Sequence, residues 1–286
     1  MTIANGASEL IKFLFNYFKE KKVGVLIPTF EEFLRFPFIN VFNVLNYKES
    51  KYNIYNIFLE NNKNLEDFIK QNDIVVIVNP NNPLGYYIES GYLADLALRY
   101  PEKIFIIDES FIDFYDYKKS VLYFMEELEI KNLIVIKSLG KIWGIPGLRG
   151  GILFALNPNI IEEYKRFISL WNINSILELL LQIYPKYHKD YLHSLLRITH
   201  IKQKFEVFLK SLKIPYFKSY ANFVTIDLGN IDSLQFCAKA FDELIFLKNL
   251  KGKKGLEKQN YIRIGIKSEE YMQNLMYFLL KEIKTS

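Results

Sequence analysis

A chain of 286 residues, half of them apolar and 16% aromatic, is long enough to bury a sizeable core and lies outside the composition of disordered or fibrous proteins. Its net charge of +5 is spread along the sequence with no nucleic-acid-binding motif, and no apolar run approaches the ~20 residues of a membrane-spanning helix, so neither nucleic acid nor membrane is expected as a partner. Cys237 is the only cysteine, which excludes an intrachain disulfide or a thiolate metal cluster, and the three histidines, His188, His193 and His200, follow no ligand spacing; the start does not read as a signal peptide, so the cytoplasm is the expected compartment.

In chain order, Met1 to Glu20 reads as an amphipathic helix. Val23-Gly-Val-Leu-Ile27, Ile74-Val-Val-Ile-Val78, Ile104-Phe-Ile-Ile107 and Leu133-Ile-Val-Ile136 are unbroken apolar runs of strand length. Such runs suit strands covered on both faces of a largely parallel sheet. Ser90 to Tyr100 and Leu122 to Leu128 are helix-length segments between them, and the alternation predicts an α/β sandwich. A helical region follows from Ile160 to Leu212, and then an α+β tail. The tail holds the strand Phe223-Val-Thr-Ile226, a helix from Leu234 to Leu244, a turn at Lys251–Gly255, the strand Tyr261-Ile-Arg-Ile264 and a terminal helix. The expected organisation is a large lobe over residues 1–180 and a smaller one over 190–286.

In an open α/β sheet ligands bind beyond the carboxyl ends of the strands, and distinctive segments sit at three such ends. Asn79-Pro-Asn-Asn-Pro-Leu-Gly85 follows the second run, and alone it is a Pro/Asn/Gly turn. Asp108-Glu-Ser-Phe-Ile-Asp-Phe114 follows the third, where an acidic pair is ordinarily a helix N-cap. Lys137-Ser-Leu-Gly-Lys141 follows the fourth, with Ile145-Pro-Gly-Leu-Arg149 beyond it, and a lone loop lysine is ordinarily solvated. In the tail, Arg263 interrupts an apolar strand and could be an edge-strand charge. A nicotinamide-binding enzyme would need a G-x-G-x-x-G turn after its first strand, which is absent.

Taken together, in this order and spacing, these segments resemble the class I/II aminotransferases over nearly the whole chain, Ser138-x-x-Lys141 with Arg149 being the most specific element. The resemblance implies the type I pyridoxal-phosphate fold, with a three-layer α/β/α large domain, a mostly parallel sheet and a small α+β C-terminal domain. It implies pyridoxal 5′-phosphate as cofactor, carried by Lys141 as a Schiff base, with Lys141 also the base at Cα. Asp108 would pair with the pyridine nitrogen and Asn82 with the phenolic oxygen. Ser138 and Arg149 would bind the phosphate, together with Ala7 and Ser8 of Ala4-Asn-Gly-Ala-Ser-Glu-Leu10, a segment that by itself is only an N-cap signal at Ser8. Phe30 would stack on the ring and Arg263 would hold the substrate α-carboxylate.

Within the superfamily, Asp108-Glu-Ser-Phe111 lacks the tyrosine that many members carry at the Phe111 position, leaving Asn82 alone to serve the cofactor oxygen. Asp-Glu-x-Phe-Ile-Asp-Phe with Ile-Pro-Gly-Leu-Arg is similar to the threonine-phosphate decarboxylases and their relatives, the histidinol-phosphate aminotransferases. Pro28-Thr-Phe-Glu-Glu-Phe33, Trp171-Asn-Ile-Asn-Ser175 and Leu247-Lys-Asn-Leu-Lys-Gly-Lys253 resemble the aminotransferase-like modules of bacterial capsule and surface-polysaccharide clusters. Ahead of the phosphate cup family members carry an arm, which the resemblance implies is missing here. The expectation is an aminotransferase for a small amino acid, phosphorylated or not, working as a homodimer. A phosphoserine or phosphothreonine decarboxylase and a truncated, non-catalytic remnant are the alternatives.

Overall fold

The computed structural model describes residues 1–47 and 62–284. Seven strands make one sheet: β1 (Thr2–Asn5), β2 (Val23–Ile27), β3 (Ile39–Asn43), β4 (Ile74–Val78), β5 (Ile104–Asp108), β6 (Leu133–Ser138) and β7 (Gly150–Ala155), in spatial order β1-β7-β6-β5-β4-β2-β3. Strands β2 to β6 run parallel, while β7 and β1 pair antiparallel at one edge. Every residue of β2 and β4 is buried, as an apolar run without polar alternation requires of a strand covered on both sides.

Alternate residues of the strands feed two separate cores. Val75, Ile77, Phe105, Ile107, Leu133 and Val135 meet α2 (Lys63–Gln71), α3 (Ser90–Arg99) and α4 (Leu122–Glu127) on one face. Ile74, Val76, Val78, Ile106, Ile134 and Ile136 meet α1 (Ala7–Tyr17) and, after the short α5 (Leu139–Ile142), α6 (Pro158–Phe167) on the other. This is a three-layer sandwich whose parallel strands end on one edge, and the candidate residues of β4, β5 and β6 lie along that edge.

The single helix α7 (Ser175–Ser211) continues unbroken through residues 180–190 and reaches a second, antiparallel sheet. That sheet comprises β8 (Phe223–Asp227), β9 (Lys248–Asn249) and β10 (Tyr261–Gly265) in the order β8-β10-β9, packed by α8 (Ser233–Asp242) and α9 (Glu269–Lys284). Three expectations change. The first twenty residues are not one helix, because Thr2–Asn5 pair with β7 before α1 begins. Ser8 is not an N-cap, since that position belongs to Gly6 and Ser8 lies inside α1. Arg263 is not on an edge, because β10 is the central strand of its sheet.

Candidate active site

Asp108 ends β5 with its side chain buried. Ser110, two residues on, donates both its backbone N–H (2.9 Å) and its hydroxyl (2.5 Å) to Asp108 Oδ1. Oδ2 carries no hydrogen bond among the described residues, so one carboxylate oxygen is fixed and the other is available. Burial pushes the Asp108 pKa up, against the Ser110 hydrogen bonds and the charge of Lys141. The Ser110 hydroxyl also accepts from the Ser138 backbone N–H at 3.0 Å, which locks the end of β5 to the start of the Ser138–Lys141 turn. The neighbouring Glu109 turns the other way: its carboxylate accepts from Val121 N–H at 2.7 Å and from the Ser120 hydroxyl, at the start of α4. Neither acid caps a helix: the N-cap of α4 is Val121, which has no side-chain cap, and Glu109 binds the backbone N–H of that residue.

Lys141 stands on α5, directly after β6, at the carboxyl ends of the parallel strands. Much of its surface reaches solvent, yet the surrounding protein lowers its ammonium pKa, and the positive charges of Arg263, Arg149 and Lys267 add to that shift while Asp108 opposes it. A lysine under such pressure supplies a neutral, nucleophilic amine more readily than a surface lysine does.

Arg149 takes the left-handed conformation (φ 56°) at the end of a short turn, and its guanidinium lies against the start of α1. A Cβ at Gly6 would stand only 2.7 Å from Arg149 Nη2, so glycine is what lets the guanidinium approach this helix end. Gly6 supplies no side-chain cap, and the first amides of α1, including those of Ala7 and Ser8, are left for an anion alongside a cation that has no ion pair among the described residues. Ser138 precedes α5 without capping it.

The asparagines after β4 divide their work. Asn79 exchanges two hydrogen bonds with the Ile88 backbone (2.9 and 2.7 Å), and Asn81 bonds Pro28 O (3.0 Å) and Leu84 N–H (3.0 Å), so both knit the loop. Asn82 is left half-buried and facing the second sheet, where its Oδ1 accepts from the Arg263 guanidinium. The two residues expected to serve cofactor and substrate separately are thus in contact. Arg263 also lies over the Phe223 ring at 5.1 Å, and that ring meets Phe111 edge-on at 5.3 Å, so the phenylalanine in the tyrosine's place packs the base of this pair. Phe30 is half-buried just beyond β2, held edge-on by Phe33 at 6.3 Å. The Thr29 hydroxyl next to it is buried without a hydrogen-bond partner among the described residues. Ser110, Gly6 and Thr29 were missed by sequence reasoning. A serine two residues past a strand-end aspartate was the only available signal.

Comparison with known proteins places this geometry. The family profile described as aminotransferase class I and II matches residues 2–279. The chain is 34% identical over 282 residues to an L-serine phosphate decarboxylase of Campylobacter jejuni, covering 94% of this chain and 70% of that protein. It is 31% identical over 301 residues to an L-serine phosphate decarboxylase of Sulfurospirillum multivorans, covering 98% and 73%. Among solved structures, the histidinol-phosphate aminotransferase of Clostridium acetobutylicum superposes with a TM-score of 0.87 at 24% identity, covering 100% of this chain and 84% of that one, which speaks for the fold.

Proposed function

The chain belongs to the aminotransferase class I and II family, and on that premise we propose that it removes the α-carboxylate of a small phosphorylated amino acid such as O-phospho-L-serine. The fold is that of the pyridoxal-phosphate-dependent aminotransferases, and the protein is an enzyme of the aminotransferase or related decarboxylase type that uses this cofactor. The observation that supports the reading is that Asp108, Arg149 and Arg263, with Asn82 on Arg263, gather around Lys141 from separate elements.

The residues present fit the cofactor on the structure's own terms. The uncapped start of α1 beside Arg149 suits a phosphate, and the free oxygen of a fixed, buried Asp108 suits a protonated ring nitrogen. When bound, pyridoxal phosphate supplies a sink for the electron pair left on Cα. Arg149, Ser138 and the amides of Ala7 and Ser8 would hold its phosphate, and Phe30 would cover the ring. Asp108, its position set by Ser110, would keep the proton on the ring nitrogen. Asn82, with Oδ1 engaged by Arg263, has its amide N–H left to donate to the ring oxygen. Lys141 would carry the cofactor through its amine and would hold or move the proton at Cα. Arg263 holds the substrate α-carboxylate.

Transamination is the second reading, and it is supported by the likeness to a histidinol-phosphate aminotransferase of Caldicellulosiruptor saccharolyticus, 28% identical over 219 residues. Which bond at Cα is broken depends on how the substrate lies, and the products report it. Incubating the cofactor-loaded protein with O-phospho-L-serine should release CO2 without a keto acid. Keto-acid-dependent loss of the amine instead would make it a transaminase, and inertness toward phosphorylated amino acids under both conditions would sink the reading.

The division of labour that fits these roles is a cofactor-binding lobe over residues 1–180 and a small lobe over 190–286. A cytoplasmic homodimer fits the family, and no helix among the described residues is long and apolar enough to cross a membrane. The exposed apolar residues Leu170, Trp171, Ile176 and Leu179 supply a surface for a second copy.

A further inference from the structure

Three cations besides Lys141 influence the cleft: Arg149, Arg263 and Lys267. The roles proposed above occupy the first two and leave the third without a task. Lys267 follows β10, the strand that carries Arg263, at an interval of four residues. Strand side chains alternate, so Arg263 and the intervening Gly265 share one side, while Lys267 lies two residues beyond the end of β10. Gly265 leaves a gap there, and Lys267 leans across it. The nearest atom to a Cβ built on Gly265 is Lys267 Cε, at 4.0 Å, with no other atom within that range. The stem of Lys267 therefore folds back along β10 to stand over Gly265, two residues from Arg263. Its charge is felt at Lys141. It forms no ion pair or hydrogen bond among the described residues, and the nearest acid along the chain, Glu269, is engaged by Lys204 at 2.9 Å. Ser268 accepts from Tyr271 N–H and Met272 N–H at the start of α9, which fixes the backbone immediately after Lys267.

We propose that Lys267 is a specificity-determining residue that receives the anionic side-chain group, a phosphate monoester, of the substrate whose α-carboxylate sits on Arg263. This rests on the reading of the site as one for phosphorylated amino acids, and it assigns the recognition of the phosphate to a particular side chain. A flexible ammonium suits the task, because a monoester at the end of a short side chain needs a point charge within reach rather than a planar fork. A free cation standing at the mouth also draws a dianionic substrate inward before it docks.

The experiment is a binding titration of the cofactor-loaded protein, followed by cofactor absorbance and calorimetry, with O-phospho-L-serine and L-serine as the probes, for the parent, Lys267→Gln and Lys267→Arg. The expected result is that the parent favours O-phospho-L-serine. Lys267→Gln should lose about ten- to a hundredfold in affinity for it, as for one charge-assisted hydrogen bond, while L-serine binds unchanged and Lys267→Arg recovers most of the loss. A parent that prefers the phosphorylated ligand together with a Lys267→Gln variant that keeps the preference overturns the assignment of Lys267 and leaves the substrate class standing. A parent with no preference overturns both. Equal weakening of both ligands in Lys267→Gln also counts against the proposal, since it would mean a general effect on the cleft.

Discussion

At Lys141 the surrounding protein and two guanidiniums act together on one ammonium group, and their joint effect can be separated experimentally. The neutral amine appears at lower pH than for an ordinary lysine, with burial the largest cause and Arg263 the next. Arg263→Met removes a lowering contribution, so the Lys141 pKa should rise and the amine should become reactive only at higher pH. Acylation of Lys141 in the cofactor-free protein as a function of pH measures this directly, and a midpoint that stays put or falls would show that the two groups are not coupled. Lys141→Ala should abolish covalent attachment of the cofactor. Borohydride reduction followed by peptide mapping should find the pyridoxyl group on Lys141 in the parent, and recovery on any other lysine would refute the assignment. These residues were legible in the sequence because Ser138, Lys141 and Arg149 share one short segment whose spacing is itself the signal. The contact of Asn82 with Arg263 was not, since 181 positions separate them and only the docking of the second sheet brings them together. Nor was the hold of Ser110 on Asp108, because a serine two residues past an aspartate is a common turn pattern and only the folded geometry aims its hydroxyl at Oδ1.

Elements buried on both faces were equally plain. Strands β2 and β4 match the apolar runs residue for residue. Strand β3 was hidden because it lies at the sheet edge with a mixed pattern of exposure, and β7 because it opens on Gly150 and Gly151. The loop carrying Asn82 is an element whose shape depends on contact with a distant turn. Tyr220 N–H bonds Gly85 O at 2.8 Å, and the Thr225 hydroxyl bonds Pro83 O at 2.6 Å. The far side of that turn is held by Lys202, a buried lysine of α7 that donates to Ser219 O at 2.7 Å and Ala221 O at 3.2 Å. Gly85 has φ +85°, and a Cβ there would stand 2.2 Å from Ser219 Oγ and 3.0 Å from Ser219 Cα. Gly85→Ala should therefore destabilise the fold by about 1–3 kcal/mol through backbone strain, with a further loss from the clash. Urea unfolding of Gly85→Ala and of Gly85→Ala with Ser219→Gly checks this, the second variant recovering the part due to the clash. An alanine variant as stable as the parent would mean the loop shifts freely.

Across the whole molecule, the exposed apolar segment from Leu170 to Leu179 is anchored rather than loose. Asn174 donates to Leu148 O at 3.0 Å, and Asn172 donates to Glu9 at 2.8 Å, so the segment adjoins both the Arg149 turn and the start of α1. A dimer formed through it would place a second copy beside the proposed phosphate cradle. Light scattering should find twice the chain mass for the parent, and a Trp171→Glu, Leu179→Glu double variant should shift the population to monomer with weaker cofactor retention. A monomeric parent would exclude this arrangement. Helix α7 continues from this segment with Leu177 and Leu195 against Leu139 and Phe223, and then Ile201, Phe205 and Leu209 in the core of the second sheet. Its two ends are therefore locked in rotational phase. One extra residue between Leu177 and Ile201 would turn the second set by about 100° around the axis, away from β8 and β10. Seven would leave the phase nearly intact while lengthening the rod by about 10 Å. A single alanine inserted there should consequently unfold the second sheet, whereas insertions in the flanking loops should be absorbed. Over evolutionary descent, this helix should therefore behave as a segment of fixed length, with gains and losses of residues collecting on either side of it.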